Sequence, residues 1–291
     1  MRSFVTWASA SRLRLILLAI VCAQFLAPVS AALLVVDALR RGPTAVLQSA
    51  LLAILGVLLI GVVLGADLSD TLSLTAPILI GGALSGALLN WSRSLSLAFQ
   101  GTIIGALVAA FLVFTVVPEA GRIGEMLQAE VLKLLEMGQA TEAQLAQAAA
   151  VDPIEFVWVL LISLLIVLLG ALMLGYWWYA LIDKRVRFGS DFRALKLGRV
   201  TGIAMMVLLI LALFLDAGLI QYLAPVAVIG FLFQGLAVLH SRSHSDKWPK
   251  AIIVVVYFLF VPWTYMALMG LSAVGLLDNF FELRARRKPD E

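Results

Sequence analysis

Long apolar runs separated by short polar breaks fill most of the chain. In order they extend from about Leu15 to Leu39, Thr44 to Ala66, Thr71 to Asn90, Leu95 to Val117, Ile154 to Ile182, Val200 to Leu215, Leu219 to Leu239 and Ala251 to Leu277. A helix crossing a bilayer needs ~20 predominantly apolar residues. The pattern therefore predicts an all-α fold, a polytopic transmembrane helix bundle of about eight apolar segments making roughly six to eight full crossings. Residues 1–117 hold the first four segments and residues 156–291 the last four. Pro28 and Pro262 interrupt the first and last runs, where a kink or a pair of half-helices is expected because proline removes a backbone donor.

Residues 118–155 form the longest polar interruption and change the periodicity. Ile123, Met126, Leu127, Val131, Leu134 and Leu135 recur at helical spacing, with Glu125, Glu130 and Glu136 between them. That pattern predicts an amphipathic helix lying on the membrane surface or capping the bundle. A second short helix is expected from about Thr141 to Ala150, with a weakly capping Thr-x-x-x-Gln start, and Asp152-Pro153 reads as an N-cap followed by proline in the first turn. Trp158 and the run Tyr176 to Tyr179 stand ~20 residues apart, matching two interfacial aromatic belts.

Composition agrees with lipid as the solvent: 63% of residues are hydrophobic, 13% charged, and mean hydropathy is +1.05. The net charge of +3 does not imply nucleic acid, because the basic residues fall in loops between segments. Cys22 is alone and reads as a small core hydrophobe. The apolar character beyond Val29-Ser30-Ala31 reads as a retained first helix rather than a cleaved signal.

Charge then sets the threading. The loop Asp183 to Arg199 carries six basic residues, Lys184, Arg185, Arg187, Arg193, Lys196 and Arg199, against Asp183 and Asp191, so it is expected on the cytoplasmic side. Alternation puts Arg40, Arg41, Arg93, Arg242, Lys247 and Lys250 on that side, with Asp67, Asp70, Asp216 and the 118–155 insertion on the periplasmic side. Both basic tails conflict with this scheme, because full crossings throughout would place Arg2 and Arg284 to Lys288 outside. The conflict predicts that one or both of the proline-bearing first and last segments are re-entrant or broken rather than simple crossings.

Candidate chemistry is sparse. There is no Gly-x-Ser-x-Gly, P-loop or HExxH, and no nucleophile-base pair, so no enzyme activity, catalytic residue, metal or cofactor is predicted. His240 and His244 read as solvated loop residues, and Asp37, Asp216 and Asp278 as interface or cap residues. Intramembrane amides are the candidates for lining a small-molecule site: Gln24, Asn90, Gln221 and Gln234, with helix-to-helix hydrogen bonding as the competing role. Arg185, Arg187, Arg193 and Lys196 are the candidates for docking a membrane or cytoplasmic protein partner. Small-residue pairs at Gly61/Gly65, Gly82/Gly86 and Gly101/Gly105 predict close helix packing. Two functions follow: a small-molecule binding or transport module without its own energy source, or a non-transporting envelope interaction protein.

Phe188 to Arg199 (FGSDFRALKLGR), Gly235 to His240 (GLAVLH), Gly275 to Arg284 (GLLDNFFELR) and Leu39-Arg40-Arg41-Gly42 together resemble the YybS-like family of uncharacterised bacterial membrane proteins. The resemblance spans most of the chain and implies a multi-pass protein of the bacterial inner membrane. It is distantly similar to the substrate-binding membrane subunits of vitamin transporters, which have fewer segments and rely on separate energising subunits.

Overall fold

The computed structural model describes residues 1–116, 120–215, 218–244, 249 and 251–284. Val117, Pro118, Glu119, Asp216, Asp246, Lys247, Lys250 and Arg286 to Lys288, which figured in the loop and tail expectations, lie outside them. Fourteen helices and no strand occur among the described residues. They are α1 (Arg2–Ala10), α2 (Arg12–Phe25), α3 (Ala27–Arg41), α4 (Pro43–Val63), α5 (Leu68–Ser92), α6 (Leu95–Val116) and α7 (Ala120–Met137). The remainder are α8 (Glu142–Ala149), α9 (Pro153–Ile182), α10 (Phe188–Arg193), α11 (Gly198–Phe214), α12 (Gly218–His244), α13 (Ala251–Leu259) and α14 (Thr264–Phe281). Six are long and apolar enough to cross a membrane, in whole or over part of their length: α4, α5, α6, α9, α12 and α14. The chain is a multi-pass helical membrane protein.

Local chemistry explains the helix starts. Asp152 Oδ1 accepts from Ile154 N at 3.0 Å, with Pro153 in the first turn of α9. Thr141 and Gln144 close a reciprocal capping box, so the cap is Thr-x-x-Gln rather than the weaker Thr-x-x-x-Gln. Gln128 then ties α7 to the residues after α8, donating to Val151 O at 2.9 Å.

Side-chain bonds at the helix ends give the threading. Arg12, opening α2, donates to Ala45 O at 2.8 Å and Ser49 Oγ at 3.0 Å in the first turns of α4. Arg40, closing α3, donates to Ser9 O at 2.6 Å. Both ends of the α2–α3 pair therefore lie at one face, and Ser30 Oγ donates across the pair to Ala19 O at 2.8 Å. With 14 and 15 residues, about 21 and 22 Å of helix, neither member reaches through ~30 Å of hydrocarbon. The first segment is a re-entrant hairpin broken at Leu26, and α1 bends away from α2 by 113°.

The last segment repeats the solution. Ser272 Oγ donates to Val228 O at 2.9 Å and Gln234 Nε2 to Asp278 Oδ2 at 2.8 Å, both 44 residues apart, so α12 and α14 run parallel where they meet. α14 thus ends at the face where α12 ends, and α13 starts from that face. The described ends of the chain, Arg2 and Arg284, share a face with Arg40, Arg93 and Arg187. We call it the basic face. Two hairpins that return to the basic face remove the charge conflict in the sequence; α4, α5, α6, α9 and α12, together with the shorter apolar α11, run between that face and the opposite one.

α3 is the axis of the bundle. Every residue from Ser30 to Leu39 is buried, against α2, α4, α5 and α9. α4 and α6 instead leave large apolar residues such as Leu55, Leu59 and Phe111 exposed toward lipid, as expected of helices apolar all round.

Several sequence expectations need correction. Among the three glycine pairs only Gly82/Gly86 makes a backbone seam: a Cβ on either would sit 2.8 Å from Ala31 Cα or Val35 Cα of α3. Gly105 faces open space, Gly65 sits in a turn, and Gly61 and Gly101 meet only side chains. The tightest approach is elsewhere, at Gly235 and Gly275, where a Cβ would collide with the Leu271 or Phe231 carbonyl between α12 and α14. Trp158 is no belt residue: it is 5% exposed and stacks on Tyr222 with ring centroids 5.1 Å apart. Trp178 is buried too, leaving Trp177 as the exposed indole of that run. His240 and His244 lie on α12 rather than in a loop, and His240 packs on Phe192 and Tyr257.

Candidate functional site

The connector after α9 is held by side chains from four directions. Asp278, fully buried near the end of α14, accepts from Arg284 Nη2 at 2.7 Å, Arg284 Nε at 3.1 Å and Gln234 Nε2 at 2.8 Å. Gln234 Oε1 in turn accepts from Leu197 N at 3.0 Å. Arg284 also donates to Arg193 O and, at 2.8 Å, to Leu195 O. Gln100 Nε2 reaches Lys196 O at 3.2 Å, Ser96 Oγ accepts from Lys196 N at 3.1 Å, and Asn279 Nδ2 reaches Gly198 O at 3.2 Å. A buried backbone segment outside a helix must find partners for its polar groups. Here α6, α12, α14 and the tail supply them.

A second, smaller clasp secures the amino end. Asp37, also fully buried, pairs with Arg41 one turn on. Arg41 Nη2 and Arg40 Nη1 converge on Ser9 O at 2.9 and 2.6 Å. Asp37 Oδ2 and Trp178 Nε1 are buried without a partner among the described residues. Asp37 and Asp278 are therefore buried members of ion pairs, not the interface or cap residues expected from the sequence.

Beside the clasped connector a cleft of about 280 Å³ opens at the basic face. Its floor is Leu39, Leu89 and Val186, and its polar wall is Arg93, Tyr176, Tyr179, Arg185, Arg187, Ser190 and Asp191. Three arginines against one aspartate give the lining a formal charge of +2. The acids are engaged: Tyr176 OH donates to Asp191 Oδ2 at 2.6 Å, and Asp183 accepts from Arg185 Nη2 at 3.0 Å, Arg185 Nε at 3.1 Å and Tyr179 OH at 3.4 Å. The Arg185 side chain and backbone N–H hold the Asp183 carboxyl low, at about 2. Arg93 and Arg187 are exposed and make no side-chain hydrogen bond or ion pair among the described residues. Arg93 moreover has φ +53°, a left-handed conformation uncommon outside glycine, in the turn between α5 and α6.

The sequence candidates scatter over this framework. Asn90 donates to Ala38 O at 2.9 Å, and Gln221 to Ala212 O at 2.7 Å, closing the α11–α12 turn. Gln234 belongs to the carboxy clasp, and Gln24 is exposed near the tip of the first hairpin. Neither the basic cleft nor a crevice of about 10 Å³ between α6, α9 and α12 is lined by any of these four. Arg185 and Arg187 do share the cleft. Arg193 and Lys196 enter the clasp through their backbone, and Lys196 Nζ meets Glu282 at 3.4 Å. Arg93, Tyr176 and Tyr179 were not among the candidates. Their signal was the pairing of tyrosines at i, i+3 with two loop acids, hidden under the expectation of an aromatic belt.

No family model, curated protein or solved structure matches the chain.

Proposed function

We propose that the chain is a non-transporting scaffold of the bacterial inner membrane, its basic face toward the cytoplasm, presenting a rigid platform that binds an anionic partner. The positive-inside rule supports this orientation. The observation that carries the reading is the cleft: it brings together Arg93 and Arg187, which have no acidic partner among the described residues, next to a connector held by Arg284. Asn90, Gln221 and Gln234 are each spent on a bond to a neighbouring element, the helix-to-helix role that competes with lining a solute site. On the same reading the YybS-like resemblance is one of architecture, since Gly275, Asp278 and Arg284 close the α12–α14 seam and its clasp.

The transport-module reading keeps one supporting observation. Broken helices frame the binding sites of many transporters, and this chain has two hairpins of that kind. Native mass spectrometry of protein purified from its host separates the two. The scaffold reading expects a co-purified species that is lost in Arg185→Glu/Arg187→Glu and kept in Gln24→Ala/Gln221→Ala. The opposite dependence would overturn it in favour of a solute held within the membrane.

A further inference from the structure

The cleft narrows what the anion is. It lies at the basic-face ends of α5 and α9, two helices long and apolar enough to cross a membrane, which is where the headgroups of the basic-face leaflet are expected. Its two cations without a side-chain partner among the described residues are arginines, whose planar guanidinium matches phosphate oxygens in a bidentate fork better than a lysine does. The Ser190 hydroxyl donates to Arg187 O at 2.8 Å, which leaves its oxygen as an acceptor for a glycerol hydroxyl. The floor is apolar: Leu39 and Leu89 are buried against the bundle. A soluble anion has no use for such a floor, whereas the glycerol and first methylenes of a lipid do. At about 280 Å³ the cleft is just below the ~300–1,000 Å³ range of ordinary small-molecule pockets. That volume suits a phosphoryl headgroup better than a nucleotide. Basic pockets between membrane helices on the cytoplasmic side are a recurrent solution for anionic headgroups.

The backbone at Arg93 is a left-handed cap on α5, its N–H donating to Leu89 O at 3.0 Å, so the side chain is carried on a fixed helix end.

We propose that this cleft binds the phosphate of an anionic phospholipid of the cytoplasmic leaflet, with Arg93 and Arg187 on the phosphate oxygens and Leu39 and Leu89 under the glycerol. The inference rests on the platform reading above and names its ligand. Thermal unfolding of delipidated protein in a neutral detergent tests it, with phosphatidylglycerol, phosphatidylcholine, glycerol 3-phosphate and inorganic phosphate as separate additions. Phosphatidylglycerol at a hundredfold excess over its Kd is expected to raise Tm by about 5 °C, and the other three are not. Each variant is compared with its own lipid-free Tm. Arg93→Gln/Arg187→Gln is expected to weaken the phosphatidylglycerol response about thirtyfold in apparent Kd, and Arg93→Lys/Arg187→Lys to keep part of it.

Equal shifts with inorganic phosphate or glycerol 3-phosphate would overturn the lipid source while leaving an anion platform in place. An undiminished response in Arg93→Gln/Arg187→Gln would assign the effect to lipid around the bundle and overturn the cleft. If no anion shifts Tm but the host-purified partner is still lost in Arg185→Glu/Arg187→Glu, the lipid proposal fails and the scaffold stands.

Discussion

The two re-entrant hairpins begin and end at the same face, yet they occupy opposite places in the bundle. α3 is buried around its whole circumference between Ser30 and Leu39, whereas α13 buries no residue and α14 buries one stripe, Leu271, Ser272, Gly275 and Asp278. Their clasps differ in the same sense. The carboxy pair is shielded and saturated, with Asp278 accepting three hydrogen bonds and the Arg284 side chain 8% exposed. The amino pair is looser: the Arg41 side chain is 22% exposed and Asp37 Oδ2 has no partner among the described residues. A hairpin with one arm, α3, packed on all sides is fixed by its neighbours, so its ion pair is an addition. A peripheral hairpin depends on one seam and one clasp.

The sharpest way to break this comparison is topological and all or none. Single cysteines introduced at Arg2→Cys and Lys288→Cys should react with an impermeant thiol reagent from the side that labels Arg187→Cys, in a Cys22→Ala background. Either tail labelled only from the opposite side would mean its hairpin is a full crossing. The next effect is energetic. Removing one member of a buried, hydrogen-bonded ion pair leaves an uncompensated charge, so Arg284→Ala should destabilise the protein by about 3–5 kcal/mol. Arg41→Ala, with its partly solvated guanidinium, should cost about 1–3 kcal/mol. Unfolding in detergent measures both, and equal losses would erase the distinction between the clasps.

Much of the architecture was legible because lipid imposes one rule on every segment: backbone groups pair within the helix, and apolar length sets the span. The run from Leu95 to Val117 became α6 at Leu95–Val116, and the Asp152-Pro153 start of α9 was read directly. The re-entrant ends were also legible, as a mismatch between basic tails and alternation. What escaped depends on contacts distant in sequence. Trp158 looked like a belt residue because nothing in its own segment announces Tyr222. Asp37 and Arg41 stand at i, i+4 and could have been paired on a helix. Asp278 and Arg284 are six apart, a spacing no straight helix brings together. They meet because Glu282 adopts a left-handed C-cap, φ +47°, that turns the tail back onto α14. α1 and α10 are too short for their periodicity to stand out.

Glycine positions give the smallest effect and the finest test of which hairpin is loose. Gly235 and Gly275 lie where the α12 and α14 backbones touch, and a methyl at Gly275 meets the Phe231 carbonyl, which cannot move without unseating its own helix. Gly275→Ala should therefore cost about 1–3 kcal/mol through overpacking. Gly270, on the same helix but with open space around its Cβ position, is the internal control. There the substitution removes conformational freedom from the unfolded chain without meeting anything, so Gly270→Ala should stabilise by about 0.5–1 kcal/mol. The difference between two alanines less than two turns apart isolates the seam from helix propensity. Opposite signs in unfolding experiments would locate the peripheral hairpin's stability in that one contact line. A loss at both positions would mean that α14 packs on a face the seam does not explain.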